Sequence, residues 1–316
     1  MKLWITRPMT PAVEARARAD FDVEIRESTA PLSHDEMARA LSEFDIVIPT
    51  LGDQFSDQVF AEVPSPRCKL LANFGVGYNH IDVDAAHQAG LQVTNTPGAV
   101  TDATADIAMT LLLSTARRAG EGERLVRSGE WQGWHPTQML GHHVTGKRVG
   151  IVGMGRIGQA IARRCHFGFE MQVAYLARSR KELNFNADYV PDLLELAASV
   201  DFLVLAVPGG ADTRHLINAP VLEAMKPSGI LINIARGEVV DESALITALQ
   251  AREIAGAGLD VYEFEPAVPQ VLREMENVTL LPHLGTATEE VRTDMGHMAL
   301  DNVAAFVAGR PLPNPV

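Results

Sequence analysis

The sequence predicts an α/β protein of two domains, one of them a doubly wound parallel sheet. Three observations predict it. Short apolar runs alternate with helical patterns along the chain, as they do when a parallel sheet is covered on both faces. One stretch, Lys147 to Ala160, runs from an apolar strand through three spaced glycines into a helical pattern. And 316 residues is long enough for about two hydrophobic cores.

Composition narrows the class. The chain is 47% hydrophobic, 21% charged and 6% aromatic, as ordinary globular proteins are. Its 27 basic and 40 acidic residues give a net charge of −13, which argues against non-specific nucleic-acid binding and for a soluble protein. Cys68 and Cys165 are the only cysteines and have no metal-ligand spacing, so neither a disulfide framework nor a metal site is expected. Met1 to Pro8 meets a charge and a proline too early for a signal peptide. The most continuous apolar run, Ile107 to Ala116, is far short of a membrane span. A cytoplasmic location is the expectation.

In chain order, strands are expected at Leu3–Thr6, Val23–Ile25, Ile46–Pro49, Leu70–Asn73 and Gln92–Thr94, with helices at Pro11–Ala19, Ser33–Leu41 and Val83–Ala89. Ser33 with Glu36 fits a capping box. The glycines of Asn73-Phe74-Gly75-Val76-Gly77 suggest exposed amides at the carboxyl end of a sheet, where α/β proteins bind ligands; a plain strand-to-helix turn is the alternative. After a break at Asn95-Thr96-Pro97-Gly98, Asp102 is expected to cap a long helix through Arg118. That helix is apolar on more than one side, which suits an inter-domain spine or a subunit contact. Gly129 to Gly141, with Trp131 and Trp134, reads as an irregular arm whose tryptophans, if exposed, would mark a partner surface.

The glycine stretch then opens the second half. Gly153, Gly155 and Gly158 have G-x-G-x-x-G spacing: one for a tight turn, one for approach of backbone to a pyrophosphate, one for close packing of helix on strand. The amides and dipole at the helix start would hold the phosphate charge. Further strands are expected at Gln172–Leu176, Phe202–Ala206, Ile230–Ile234, Ala257–Asp260 and Thr279–Leu281, giving about six in a Rossmann-type sheet. A last helix, Glu289–Ala308, precedes a proline-rich end.

Cofactor choice is read at the end of the second strand. An acid about twenty residues past the glycines would accept from a ribose 2′-hydroxyl and favour NAD. Ala177 stands there, followed by Arg178, Ser179 and Arg180. An uncharged position beside two guanidiniums suits a 2′-phosphate, hence NADP(H) preferred with NAD(H) also admitted. A basic solvated loop is the bland alternative.

Three ionisable residues close later strands: Arg236, Glu265 and His283. Singly, each is a poor signal. Together, Gly153-Met154-Gly155-Arg156-Ile157-Gly158, Ala235-Arg236-Gly237, Asp260 to Pro266 and Pro282-His283-Leu284-Gly285-Thr286-Ala287-Thr288 resemble the D-isomer-specific 2-hydroxyacid dehydrogenases, and the segment after Ala177 is most similar to their glyoxylate/hydroxypyruvate reductase branch. The resemblance runs from the Gly75 loop to the last helix. It implies a smaller flavodoxin-like α/β substrate domain (residues 1–98 and 286–316), a dinucleotide-binding domain (99–285), an active site in the cleft and a homodimer built on the cofactor domain and its arm. Trp134 resembles a residue that reaches the neighbouring subunit's pocket, with ordinary interface packing the alternative.

The resemblance also implies roles. His283 is the acid/base, Glu265 orients it and favours its charged form, and Arg236 grips the substrate carboxylate with its forked donors. The amides of Val76 and Gly77 bind the same carboxylate. For the cofactor, Gly153, Gly155, Arg156 and Ile157 would serve the pyrophosphate, and Ala177 to Arg180, Val207 and Pro208 the adenosine side. Ala235, Arg236, Asp260, His283, Gly285, Val76 and Thr101 would lie towards the nicotinamide. The expected reaction is hydride transfer to a small 2-oxo acid, giving a D-2-hydroxy acid. Two alternatives stay open: a reductase of bulkier 2-oxo acids such as phenylpyruvates, and a dinucleotide-gated interaction protein without turnover.

Overall fold

The apolar runs become strands of two separate parallel sheets, one in each of two units of the chain. A computed structural model describes residues 1–316; the units are Met1–Val100 with Thr286–Val316, and Thr101–Gly285.

The first unit carries β1 (Lys2–Ile5), α1 (Pro11–Asp20), β2 (Asp22–Ile25), α2 (His34–Glu43), β3 (Ile46–Ile48), α3 (Asp57–Glu62), β4 (Leu70–Ala72), α4 (Val83–Gln88) and β5 (Gln92–Thr94). All neighbouring strands are parallel and the order is β2-β1-β3-β4-β5. Every residue of β3 and β4 is buried, because helices cover both faces. On one face Trp4, Phe44, Phe55 and Phe60 form a core with Leu41 and Leu71. On the other, Leu3, Ile5, Ile48 and Leu70 meet Val13, Ala299, Leu300 and Val303, which is why the C-terminal helix Glu289–Val307 belongs to this unit. The capping box forms: Ser33 accepts from the Glu36 amide, and Glu36 accepts from the Ser33 amide. The helix α3 is too short to show a period, and the sequence reading passed over it.

The second unit carries α5 (Thr101–Ala116), α6 (Ala119–Ser128), β6 (Arg148–Val152), α7 (Arg156–Arg163), β7 (Gln172–Leu176), β8 (Ala187–Tyr189), α8 (Leu193–Ser199), β9 (Phe202–Leu205), α9 (Ala219–Ala224), β10 (Ile230–Asn233), α10 (Glu242–Gln250), β11 (Gly256–Leu259), α11 (Gln270–Glu274) and β12 (Val278–Leu280); the C-terminal helix is then α12. Its sheet has seven parallel strands, not six, in the order β12-β11-β10-β9-β6-β7-β8. The order reverses between β6 and β9, and such a switch point is where a doubly wound sheet binds ligands, outside the carboxyl ends of its strands. Ala105, Ala108, Leu111 and Leu112 of α5 pack on one face with Ile151, Val204 and Ile232. Leu196, Leu222 and Leu245 of α8, α9 and α10 cover the other with Leu203 and Leu231.

One expectation needs correction. Asp102 does not cap α5, because the helix already includes Thr101. Its carboxylate instead pairs with Arg164, 3.0 Å away. The strand β8 and the helix α6 were not expected at all. No helix is long and apolar enough to cross a membrane, and no group of three or more His, Cys, Asp or Glu is placed to hold a metal ion.

Candidate active site

The glycine turn lies at the carboxyl end of β6. Gly153 has φ +100°, and a Cβ there would stand 2.6 Å from the Ala206 carbonyl oxygen. A Cβ on Gly158 would collide with the Gly153 carbonyl. The protein's own packing therefore demands both glycines. Gly155 differs, because no protein atom lies within 4 Å of a Cβ placed there. Gly155 is the N-cap of α7, has no side chain to cap the helix, and no acid occupies the first turn. Open approach, uncapped amides and the positive end of the helix dipole fit the pyrophosphate of a dinucleotide. Arg156 is exposed and Ile157 half-buried beside them.

At the end of β7, Ala177 is half-buried, while Arg178, Ser179 and Arg180 are exposed. Val207 and Pro208 follow β9, where the Pro208 carbonyl accepts from the Thr213 hydroxyl at 2.7 Å. After β10, buried Asn233 sets the next turn: its Oδ1 accepts from the Ala235 amide and its Nδ2 donates to the Arg236 carbonyl, both at 3.0 Å. The turn leaves Arg236 partly buried, with Nη1 donating to the Ala235 carbonyl at 2.7 Å. Burial lowers the pKa of this guanidinium, and the charges of Glu265 and Glu238 oppose that shift.

The ends of β11 and β12 meet through Asp260, which is 1% exposed. Its carbonyl accepts from the His283 amide at 2.9 Å, and its carboxylate from the amides of Leu284 at 2.6 Å and Gly285 at 2.8 Å. Thr104 completes the hold by donating to the Gly285 carbonyl at 3.1 Å. These bonds keep His283 at φ +57°, a left-handed conformation that costs about 1–2 kcal/mol for a residue with a Cβ. Burial raises the Asp260 pKa despite the two amides and the neighbouring imidazole.

His283 Nδ1 lies 2.9 Å from Glu265 Oε2, and Nε2 makes no hydrogen bond within the protein. Glu265 Oε1 accepts from the Tyr262 amide at 3.0 Å. Burial alone would raise the carboxyl's pKa. The hydrogen bond and charge of His283, the Tyr262 amide and Arg236 outweigh it and hold Glu265 below the usual carboxylate range. With Nδ1 engaged by a carboxylate, Nε2 is the nitrogen left for proton transfer.

In the first unit, the loop after β4 is tied by its carbonyls. Asn73 Nδ2 donates to the carbonyls of Gly75 (3.1 Å) and Gly77 (3.0 Å), and Asn95 Nδ2 to that of Val76 (2.9 Å). The amides of Val76 and Gly77 donate to no protein acceptor. Two adjacent amides without a protein acceptor are donors that an anion could use. The sequence reading named the amides but not the two asparagines that orient them. Asn73 was visible as the first residue of that stretch, whereas Asn95 read only as the start of the break before the long helix. Thr101 opens α5 and is half-buried.

A doubly wound sheet with a glycine turn at its switch point and a histidine–carboxylate pair at neighbouring strand ends defines a nucleotide-dependent dehydrogenase. The particular family follows from comparison with known proteins. The model of the D-isomer specific 2-hydroxyacid dehydrogenase NAD-binding domain matches residues 109–285. A glyoxylate reductase of Pyrococcus horikoshii is 43% identical over 98% of this chain and 93% of its own. A glycerate dehydrogenase of Hyphomicrobium methylovorum is 36% identical over 98% and 96%. Among solved structures, an NADPH-dependent glyoxylate/hydroxypyruvate reductase from Sinorhizobium meliloti, in complex with NADP and malonate, superposes with a TM-score of 0.88 at 36% identity, covering 100% of this chain and 96% of that one. The chain belongs to the D-isomer specific 2-hydroxyacid dehydrogenase family, and its cofactor is a nicotinamide dinucleotide.

Proposed function

We propose that the protein is an NADP(H)-preferring reductase of small 2-oxo acids, glyoxylate and hydroxypyruvate, forming D-2-hydroxy acids. The observation that carries the reading is the His283–Glu265 pair, with its second imidazole nitrogen unengaged, in the same unit as the glycine turn. The names of the relatives support the substrate class. Ala177 in the place of an acid, with Arg178, Ser179 and Arg180 after it, supports NADP(H).

When bound, a reduced nicotinamide would supply the hydride to the 2-oxo carbon. Negative charge then grows on the 2-oxo oxygen, and His283 Nε2 gives it a proton; in the reverse direction the same nitrogen accepts it. Glu265 fixes the tautomer by holding the Nδ1 proton and stabilises the imidazolium before transfer. Arg236 would grip the substrate carboxylate with its forked donors, and the amides of Val76 and Gly77 are the substrate-binding donors proposed for the other unit. Gly153, Gly155, Arg156 and Ile157 would hold the pyrophosphate, with Val207 and Pro208 serving the adenosine side. Ala235, Asp260, Gly285 and Thr101 would serve the nicotinamide side, with Val76 the proposed contribution of the other unit.

Domain roles and assembly belong to the same reading: residues 99–285 bind the dinucleotide, and 1–98 with 286–316 the substrate. The arm after α6 exposes Trp131 (51%), Trp134 (79%) and Leu140 (68%), which supports a homodimer formed through it. The deciding experiment is NADPH and NADH oxidation with glyoxylate, hydroxypyruvate, pyruvate and an aromatic 2-oxo acid, with the mass in solution measured alongside. The expected result is fastest turnover of glyoxylate or hydroxypyruvate with NADPH, by a particle of twice the chain mass. Preference for the aromatic acid would move the protein to the bulky-substrate class. Binding of NADPH without any 2-oxo-acid-dependent oxidation would overturn the enzymatic reading.

A further inference from the structure

The loop that would read the 2′-phosphate, Ala177 to Lys181, is short and mostly exposed, and its four polar residues differ little from an ordinary surface turn. Beneath it stand two tyrosines. Tyr175 on β7 and Tyr189 on β8 are register partners on adjacent parallel strands, so their side chains share one face. Their rings pack 5.5 Å apart at 48°. Tyr175 is 1% exposed, yet its hydroxyl accepts from the Lys181 amide at 2.8 Å. The Tyr189 hydroxyl donates to the Ala177 carbonyl at 3.2 Å. One tyrosine thus fastens the end of the loop and the other its start. The Tyr189 ring also lies under Arg180, with the guanidinium carbon 5.7 Å from the ring centre, within the range of a cation–π contact.

We propose that Tyr175 and Tyr189 are specificity-determining positioning residues, which hold Ala177–Lys181 so that Arg178, Ser179 and Arg180 present their donors to a 2′-phosphate. The inference rests on the NADP(H) reading above. A flexible loop must lose backbone and side-chain freedom when it closes on a phosphate, and that loss weakens binding. A loop fastened at both ends, with one arginine seated on an aromatic face, has lost much of that freedom beforehand. NAD(H) has no phosphate for the loop to meet, so the fastening should matter little to it. A merely structural pair would affect both cofactors alike.

The test is calorimetric titration of the protein with NADP+ and with NAD+, for wild type, Tyr175→Phe, Tyr189→Phe, the double phenylalanine variant, and Arg178→Ala with Arg180→Ala. Phenylalanine keeps both rings and removes only the hydroxyls. Loss of the three loop hydrogen bonds, two at Tyr175 and one at Tyr189, should weaken NADP+ by about fivefold to tenfold relative to NAD+ in the double variant, with each single change giving part of it. The ratio of kcat/KM for NADPH over NADH should fall by the same factor. Equal weakening of both dinucleotides, or no change, while the arginine variant loses its preference, would overturn the tyrosine role and leave the NADP(H) reading standing. If the arginine variant keeps its preference, the reading itself falls and the inference with it.

Discussion

Two histidine–glutamate pairs depend on one short loop, and only one of them belongs to the proposed chemistry. His283 meets Glu265 at 2.9 Å; His215 meets Glu263, two residues earlier, at 2.7 Å. Both imidazoles sit on left-handed backbone, at φ +57° and +49°. A carboxylate partner and a strained backbone are therefore common to both and do not mark a catalytic histidine. The difference lies in what else each carboxylate holds. Glu263, 7% exposed, is shared with Arg214 at 3.1 Å and also accepts from the Glu242 amide at 3.4 Å, so its charge is spent on a clamp. Glu265 bonds only the imidazole and one amide of its own turn, with Arg236 near enough to act through charge. His283 and Glu265 side chains are 29% and 30% exposed, so solvent or substrate can reach them. The pair proposed for chemistry is the one whose carboxylate no arginine also bonds directly.

The sharpest way to break the contrast is to delete each imidazole. His283→Ala should lower kcat by about 10²–10⁴, the contribution of a positioned general acid, while the dissociation constant for NADPH from fluorescence titration changes little. His215→Ala should stay within about tenfold of wild-type kcat; an equal collapse would erase the distinction. Next in size is stability. Glu263→Gln strands Arg214 and His215 on a half-neutral clamp and should cost about 1–3 kcal/mol in urea unfolding, with kcat/KM nearly kept at low temperature. A rise in stability there would show that the cluster is strained and not a clamp.

Removing each carboxylate separates the pairs further. Glu265→Gln takes away the acceptor that holds the Nδ1 proton of His283, so ketoacid reduction should fall by about tenfold or more while the dissociation constant for NADPH changes little. Glu263→Gln should leave kcat within about twofold to threefold of wild type, and an equal fall would mean that both pairs serve the same function. The smallest effect concerns folding. The Glu265 carboxyl is held below its ordinary value in the folded state. Its stabilisation is therefore full above the ordinary carboxylate range and is lost as pH falls through the folded value. The gap in melting temperature between wild type and Glu265→Gln should narrow from pH 7 to pH 3.5. It should correspond to less than about 1 kcal/mol, because solvent screens a partly exposed pair. A widening gap would mean that burial, which opposes the shift, dominates.

Much of this was legible in the chain, for identifiable reasons. The strand β9 is an unbroken apolar run and β10 is apolar up to Asn233, because both faces of a parallel sheet are covered, so a few residues sufficed to mark each. At the edge of the same sheet, Ala187-Asp188-Tyr189 forms β8 with a charge at its centre and gave no such run. The helix α6 buries none of its residues and contains two glycines, so no apolar face announced it. Local ion pairs, Arg118 with Glu121 and Arg127 with Glu123, supply part of its support. His283 stood out among ten histidines by its neighbours in sequence, Leu284-Gly285-Thr286. The clamp at His215 has no motif, because its partner Glu263 lies in the loop after β11 and is held in turn by Glu242 at the start of α10, both far along the chain.

The positions of most strands along the chain, the glycine turn and the candidate acid, carboxylate and arginine were written in the sequence, since each depends on a local run of residue types whose physical demands are local. The sequence could not say which nitrogen of His283 meets Glu265, that Asp260 holds the backbone of three residues beyond β12, or that Tyr175 and Tyr189 stand opposite each other beneath the basic loop. Those are contacts between segments that only packing brings together, and the direction of a side chain is fixed by the neighbours that fill the space around it.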